Sequence, residues 1–187
     1  SAPDAEGNCV PDPLLACTVE IAAAPFTHYW SAATDGSKAI YSVGLLSGGG
    51  AQLYEFDLAT RTSNPIAGGV LGVAGTSEDA SHVYFASRQV LSPEPNSEGD
   101  TAQSGQPNLY HYVAGQGGGE DIYAFVATLT ETETGEFVSR DRASPVHANP
   151  SLRTSRVSPD GGQLFPHEVR RDRAHQPRPL ARRVPSN

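Results

Sequence analysis

The chain has 187 residues and a formal net charge of -8, from 13 basic and 21 acidic side chains. This length allows one domain of ordinary size or part of a larger one. The acidic balance, with Lys38 as the only lysine, disfavours nucleic-acid binding, which usually needs a basic surface. The longest uncharged apolar stretches, such as residues 21–25, are too short to cross a bilayer, so no transmembrane helix is predicted.

The N-terminal part points to an oxidising compartment. Methionine is absent and the first residue is Ser1, which favours a processed or excised segment, and no signal peptide is recognisable in it. Cys9 and Cys17 are separated by a loop that contains Pro11 and Pro13, and we expect them to form a disulfide. The alternative is a pair of free thiols in a cytosolic protein; zinc is disfavoured because no second ligand pair has suitable spacing. The predicted location is therefore extracellular or in the cell envelope.

From residue 17 onward, short apolar runs alternate with turns rich in glycine, aspartate and serine. In one of these runs Tyr54, Phe56 and Leu58 alternate with Glu55 and Asp57, the period of a β-strand. No amphipathic helix of useful length is visible, and the sequence therefore predicts an all-β fold. The predicted strands cover residues 18–21, 28–33, 39–43, 52–58, 82–87, 107–113, 122–129 and 163–165.

Three similar turns, centred on Asp35, Asp79 and Asp160, each precede an apolar strand. They are 44 and 81 residues apart, and a period of about 40 to 45 residues is typical of a β-propeller blade. The longer interval is interpreted as one blade with inserted loops at about residues 91–106 and 130–151. No further turn of this kind occurs near the midpoint of the longer interval.

The chemistry of these turns is structural. Aspartate accepts hydrogen bonds from backbone amides, and Gly36 and Gly161 allow the positive φ that reverses the chain. Ala80 stands in the place of glycine in the second turn, which weakens that copy. The alternative for the carboxylates of Asp35 and Asp79, and for that of the third turn, is cation binding.

The repeated segments resemble the WD40-like, TolB-type propeller repeat, also described as PD40-like. The resemblance is carried by residues 157–165 (VSPDGGQLF), 33–41 (ATDGSKAIY) and 53–58 (LYEFDL). Residues 69–73, 83–85 and 105–110 more narrowly resemble secreted propeller proteins of GC-rich actinobacteria. The resemblance covers residues 17–165 and implies a partial β-propeller with four-stranded antiparallel blades.

On this interpretation the chain holds about two blades with partial blades on either side. Residues 1–16 would be a loop or the edge of a preceding blade, and residues 17–23 the last strand of that blade. The two blades would cover residues 28–67 and 70–129, and residues 154–165 would open another. Because a few blades cannot close a ring, the chain is expected to be a fragment of a longer propeller.

The last segment differs in charge. Residues 167–187 hold six arginines against two acidic residues, a net charge of +4, whereas residues 1–166 carry -12. Three interpretations of the tail, residues 166–187, remain open. It is a shifted reading frame or truncation, a disordered end that binds an anionic partner, or a folded element.

No sequence motif reaches catalytic specificity, and no catalytic residue, cofactor or metal site is predicted. Ser47 is one place late for a nucleophile elbow, and Lys38 lacks the glycine spacing of a phosphate loop. His82 and His111 fall on strands of one blade and could approach each other, although histidines satisfied within the core are more common. The recurring aromatic residues are interpreted as packing between blades.

The sequence thus predicts a non-catalytic extracellular propeller segment that binds a protein or cell-surface partner, or serves as a scaffold. The inserted loops at residues 91–106 and 130–151 are its candidate contact loops, because propellers bind through loops on one face. The alternative is the propeller part of a secreted hydrolase or lyase whose active-site residues lie outside these 187 residues.

Overall fold

The computed structural model describes residues 19–46, 50–115, 119–134 and 155–166. The predicted disulfide between Cys9 and Cys17 lies outside the described residues. So do residues 167–187 of the basic tail and most of the second predicted loop, 130–151.

The described residues form an all-β fold in which seven strands make one antiparallel sheet in chain order. A separate two-stranded hairpin follows. The all-β, antiparallel prediction is confirmed. The strands are β1 (Thr27–Ala32), β2 (Lys38–Val43), β3 (Ala51–Asp57), β4 (Thr62–Thr76), β5 (His82–Ser87), β6 (Asn108–Val113), β7 (Ile122–Thr128), β8 (Ser155–Val157) and β9 (Leu164–Pro166).

The long strand β4 divides the sheet into two units of four strands. Its first part, residues 62–67, pairs with β3, and its second part, residues 70–76, pairs with β5. We call residues 27–67 the first repeat and residues 70–128 the second repeat. Each is an up-and-down antiparallel meander of four strands, the architecture of a propeller blade. We call β8 and β9 the third hairpin.

The two repeats pack face to face through one apolar core. Trp30, Ile40 and Leu53 of the first repeat meet Val83 and Phe85 of the second, and all five are buried. Two polar contacts cross the same interface: the Thr76 hydroxyl donates to Ser31 Oγ, at 2.8 Å, and the Tyr123 hydroxyl donates to the Ile66 carbonyl, at 2.7 Å. Aromatic packing between blades, as predicted, is found at Phe85, Tyr110, Tyr112 and Phe125.

The third hairpin lies on the opposite face of the second repeat. Leu164 packs against a smaller buried cluster that includes Leu71 and Leu109. Ser155 Oγ donates to the carbonyl of Ala74 on β4. The Val157 side chain packs closely on the backbone of β4, because a Cβ added at Gly75 would lie 2.6 Å from it. The third hairpin is therefore stacked on the second repeat.

Two local expectations are corrected. The described part of the strand predicted over residues 17–23 has no strand structure. Its run of alanines before Pro25 has low β-propensity, and the proline has no N–H to donate. The second is a single helical turn, α1 (Glu131–Thr134), which follows β7 where a loop was expected. No helix among the described residues is long and apolar enough to cross a membrane.

Candidate functional site

The residues singled out as turn motifs lie in three turns of the same geometry. We call residues 33–38, 77–82 and 158–163 turns 1, 2 and 3. In each, one carboxylate oxygen accepts the backbone N–H two residues later: Asp35 from Ser37 at 2.9 Å, Asp79 from Ser81 at 3.0 Å and Asp160 from Gly162 at 3.1 Å. The residue after each aspartate has positive φ: +75° at Gly36, +57° at Ala80 and +76° at Gly161. The three positions are therefore structurally equivalent.

Local hydrogen bonds to the turn carboxylates hold them ionised. The Ser77 hydroxyl donates to Asp79 at 2.6 Å, and together with Ser81 it lowers the pKa of Asp79 to about 2, against a smaller opposing effect of burial. The Ser37 hydroxyl likewise lowers the pKa of Asp35, and the Ser158 hydroxyl that of Asp160. Among the described residues no group of three histidine, cysteine or acidic side chains is placed to hold a metal ion. Each of these carboxylates therefore accepts hydrogen bonds from its own turn and stabilises it.

The three turns are also joined to one another. Thr34 N–H donates to the Glu78 carbonyl at 2.8 Å, and Glu78 N–H donates to the Pro159 carbonyl at 3.1 Å. Each of these residues directly precedes the aspartate of its turn, so one hydrogen bond recurs from repeat to repeat. Pro159 has no N–H to donate, so this series of hydrogen bonds ends at turn 3.

The predicted contact loop, residues 91–106, is held in a defined conformation by two asparagine side chains. Asn108 is fully buried at the start of β6, where its amide donates to the carbonyls of Gln103 and Gln106. Its carbonyl accepts the Gln103 N–H at 3.0 Å. Asn96 closes the tip of the loop and donates to the Val126 carbonyl at 3.0 Å, which ties the loop to the edge strand β7.

Between this loop and β7 lies an open cavity of about 560 Å³. Asp100 and Glu133 are the charged residues among those that line it, so the cavity is acidic. Its lining residues are Gly99, Asp100, Thr101, Gln103, Ala127, Thr128, Leu129 and Glu133. We call it the loop cavity.

The helical turn α1 forms one side of the loop cavity. Glu133 accepts the N–H of Thr130 at 2.8 Å, and the Thr130 hydroxyl accepts the N–H of Glu133 at 3.2 Å, which is a capping box. Arg88 joins this turn to the loop, because it donates to Glu131 at 3.0 Å and to the Gly105 carbonyl at 2.8 Å. The sequence analysis missed this arrangement, although the Thr-x-x-Glu spacing signals it.

The two histidines that could approach each other do so. His82 Nδ1 and His111 Nε2 are 2.9 Å apart, and the His111 ring stacks on Tyr84 with 4.3 Å between ring centres. His111 is 3 % exposed, and its Nδ1 atom is buried without a hydrogen-bond partner. Burial, with a smaller effect from His82, lowers the pKa of His111 to about 4. The pair lies where turn 3 meets the second repeat, because the Tyr84 hydroxyl donates to the Gly161 carbonyl at 3.0 Å.

No protein-family model matches the chain, and no curated protein matches it. Two solved structures are similar to it. A chain of Kuenenia stuttgartiensis hydrazine synthase aligns with 72% of this chain at 13% identity and a TM-score of 0.37, over 34% of its own length. TolB from Acinetobacter baumannii aligns with 75% of this chain at 16% identity and a TM-score of 0.28, over 37% of its own length. The chain therefore spans little more than a third of either structure.

Proposed function

We propose that the protein is a non-catalytic binding module whose contact surface is the loop cavity. The observation that supports it is the ordered insertion: the 20-residue connection between β5 and β6, residues 88–107, is fixed by a fully buried asparagine and borders a cavity. Loops without regular structure that are nevertheless fixed by buried polar groups are commonly functional. Asp100 and Glu133 give the cavity a negative field that suits a basic segment of a protein partner.

The acidic side chains of the turns and of α1 already have hydrogen-bond or ion-pair partners, which agrees with a binding role without catalysis. The turn carboxylates are occupied by their own backbone amides and hydroxyls. Glu133 is occupied by its capping box, and Glu131 by Arg88. None of these groups is arranged as a nucleophile with its base, or as an acid and base facing a common space.

Peptide binding tests this function. The full chain is measured by fluorescence anisotropy against three labelled twelve-residue peptides, one rich in lysine and arginine, one neutral and one acidic. We expect the basic peptide to bind best and Asp100→Asn to weaken it about fivefold, since removing one partly screened charge costs about 1 kcal/mol. Glu120→Gln is the matched control, because Glu120 is exposed near the other end of β7. Equal affinity for the three peptides, or equal loss in both variants, would contradict the proposal.

We further propose that the described repeats belong to a larger propeller. In the second repeat, Val73 and Phe85 face the first repeat and are buried. The equivalent positions of the first repeat, 44 residues earlier in the chain, are Tyr29 and Tyr41. Tyr29 is 55 % exposed, whereas Tyr41 is buried. Tyr29 is thus an exposed aromatic side chain at a position that, in the second repeat, is buried against a neighbouring repeat. This exposure supports a further repeat packed on the same face of the first repeat.

An extracellular or cell-envelope location is proposed on the cysteines alone. We expect Cys9 and Cys17 of the unreduced protein to resist thiol labelling and to label after reduction, because a disulfide of this spacing is stable in an oxidising compartment. Mass spectrometry of the alkylated chain gives the result. The reduced and denatured protein is the control, and full labelling without reductant would contradict the proposed location.

A further inference from the structure

The histidine pair has a counterpart in the first repeat. Lys38 begins β2 as His82 begins β5, and Glu55 pairs with Ile40 as His111 pairs with Tyr84. In the first repeat these two positions form an ion pair with 3.0 Å between Lys38 Nζ and the Glu55 carboxylate. In the second repeat they form the hydrogen bond between two imidazoles. Equivalent positions on two successive interfaces therefore hold an ion pair in the first repeat and a hydrogen-bonded histidine pair in the second.

Both pairs face the next unit of the stack. Lys38 and Glu55 lie on the face of the first repeat that also carries Ile40 and Leu53, which pack on the second repeat. His82 lies against turn 3, since a Cβ added at Gly161 would be 2.3 Å from its ring. The neighbouring Tyr84 hydroxyl bonds the Gly161 carbonyl. The histidines thus form part of the surface on which the third hairpin docks.

A hydrogen bond between two imidazoles needs one N–H and one lone pair. The arrangement that leaves no buried N–H without an acceptor has His111 Nε2–H donating to His82 Nδ1, so that the unpartnered His111 Nδ1 keeps a lone pair. If His82 takes up a proton, its Nδ1–H must donate, and His111 must move its own hydrogen to Nδ1. That atom is buried and has no acceptor. A second proton would leave two facing N–H groups and two positive charges, and the hydrogen bond would be lost.

Few other charges oppose this effect. Within the part of the chain that the structure describes, the titratable groups that face the pair are Tyr84 on β5 and Asp160 on turn 3. Burial, and secondarily the charge of Asp160, raises the pKa of Tyr84 to about 12, so it stays neutral. The Asp160 carboxylate is already bonded to the Ser158 hydroxyl and the Gly162 N–H. The neighbouring strand positions are not titratable: Gly75 on β4 lies opposite Tyr84, Val113 on β6 opposite His82, and Ala124 on β7 opposite His111.

We propose that the junction between the second repeat and the third hairpin is an acid-labile joint, in which protonation of the His82 and His111 pair releases the hairpin, while the junction between the first two repeats stays closed. Undocking exposes the pair to water, so both imidazoles can then be charged. At the junction between the first two repeats, Lys38 and Glu55 occupy the two equivalent positions in place of imidazoles.

The pH range follows from linkage. A folded-state pKa of about 4 for His111 is below the unperturbed 6.5, so the docked state binds fewer protons than the undocked state between these values. Docking is therefore strongest above pH 6.5 and weakens as the pH falls toward 4. The limit is about tenfold per pH unit for one such group, or roughly thirtyfold between pH 6.5 and pH 5.

Hydrogen exchange of the full chain, read by mass spectrometry at pH 7 and pH 5 and corrected for intrinsic exchange rates, tests the joint. We expect protection in residues 155–166 to fall at least tenfold at pH 5, while protection in β2 and β3 is unchanged. Trp30 is buried between the first two repeats and bonded to Ser42, so its fluorescence gives a second reading of that junction. An unchanged hairpin at pH 5, or equal loss in both regions, would overturn the proposal.

The matched variant transplants the pair of the first repeat: His82→Lys combined with His111→Glu. It is expected to keep a docked hairpin whose protection does not depend on pH between 7 and 5. His111→Gln, which keeps an N–H for His82 and cannot titrate, carries the same expectation if the double variant does not fold. A variant hairpin that loses as much protection at pH 5 as the wild type would show that other groups release it, and would overturn the proposal.

Discussion

Replacing Gly161 by alanine is expected to weaken docking of the third hairpin by about 3 kcal/mol, which is roughly a hundredfold in the docking equilibrium. Gly161 has φ of +76°, which costs an L-residue about 1 kcal/mol or more. The added Cβ would also lie 2.3 to 2.7 Å from three carbon atoms of His82, and overpacking of this kind costs about 2 kcal/mol. Hydrogen exchange of residues 155–166 measures the loss.

Gly36→Ala is the control for backbone strain. Gly36 has nearly the same φ, +75°, and an added Cβ there would have no atom within 4 Å. Only the conformational cost of about 1 kcal/mol is expected, measured by urea unfolding. Combining Gly161→Ala with His82→Gly should recover the part due to the steric clash, because glycine removes the His82 Cβ, which would lie 2.4 Å from the added methyl group, together with the ring. If the two glycine variants lose equal stability, or the double variant recovers nothing, the clash with His82 is not the cause.

The repeat could be read from the sequence because its determinants are local. Asp35, Asp79 and Asp160 each bond an amide two residues away, so the aspartate and the residue after it specify the turn without reference to the rest of the fold. Ala80 shows that this turn can also form without glycine after the aspartate. It takes φ of +57° where the other turns have glycine, and its fully buried methyl group packs in the core between the repeats.

The contacts that distinguish one interface between repeats from the next could not be predicted from local sequence. Glu55 was placed on the polar side of an alternating strand, yet it is 7 % exposed and bonded to Lys38. Its partner is fixed by the register of β2 against β3, and its burial by the second repeat packing on that face. Both depend on contacts that are distant in sequence. The approach of His82 to His111 was foreseen as one outcome, but not the equivalence of the two pairs.

The loop cavity was foreseen only as an inserted loop. An asparagine in a polar segment is usually a turn residue on the surface, and Asn108 differs from Asn96 only through its surroundings. Pro107 and Asn108 are both fully buried, whereas Asn96 is partly exposed. The burial arises because the loop folds back over the start of β6. The sequence therefore located the candidate surface but not the side chain that shapes it.

Asn108→Asp is expected to destabilise the protein by about 4 kcal/mol and to open the loop cavity. The side-chain amide of Asn108 donates to the carbonyls of Gln103 and Gln106, at 2.8 and 3.0 Å. A carboxylate of the same shape would face both carbonyls with no hydrogen to donate. One oxygen would keep the Gln103 N–H, but removing the donor from a buried site and leaving a charge that faces two acceptors typically costs 3 to 5 kcal/mol, so about 4 is expected. Urea unfolding measures the stability, and hydrogen exchange of residues 91–106 reports the loop.

Asn96→Asp is the matched control, since Asn96 is partly exposed and donates a single hydrogen bond, to Val126. About 1 kcal/mol is expected for it. The pH dependence gives a further check, because burial beside two carbonyls raises the pKa of the new carboxyl at position 108. The variant then gains protons on folding, so its deficit relative to the wild type should shrink as the pH falls from 7 to 5. A deficit that is the same at both pH values, or that is no larger than that of Asn96→Asp, would mean that the buried amide does not hold the loop.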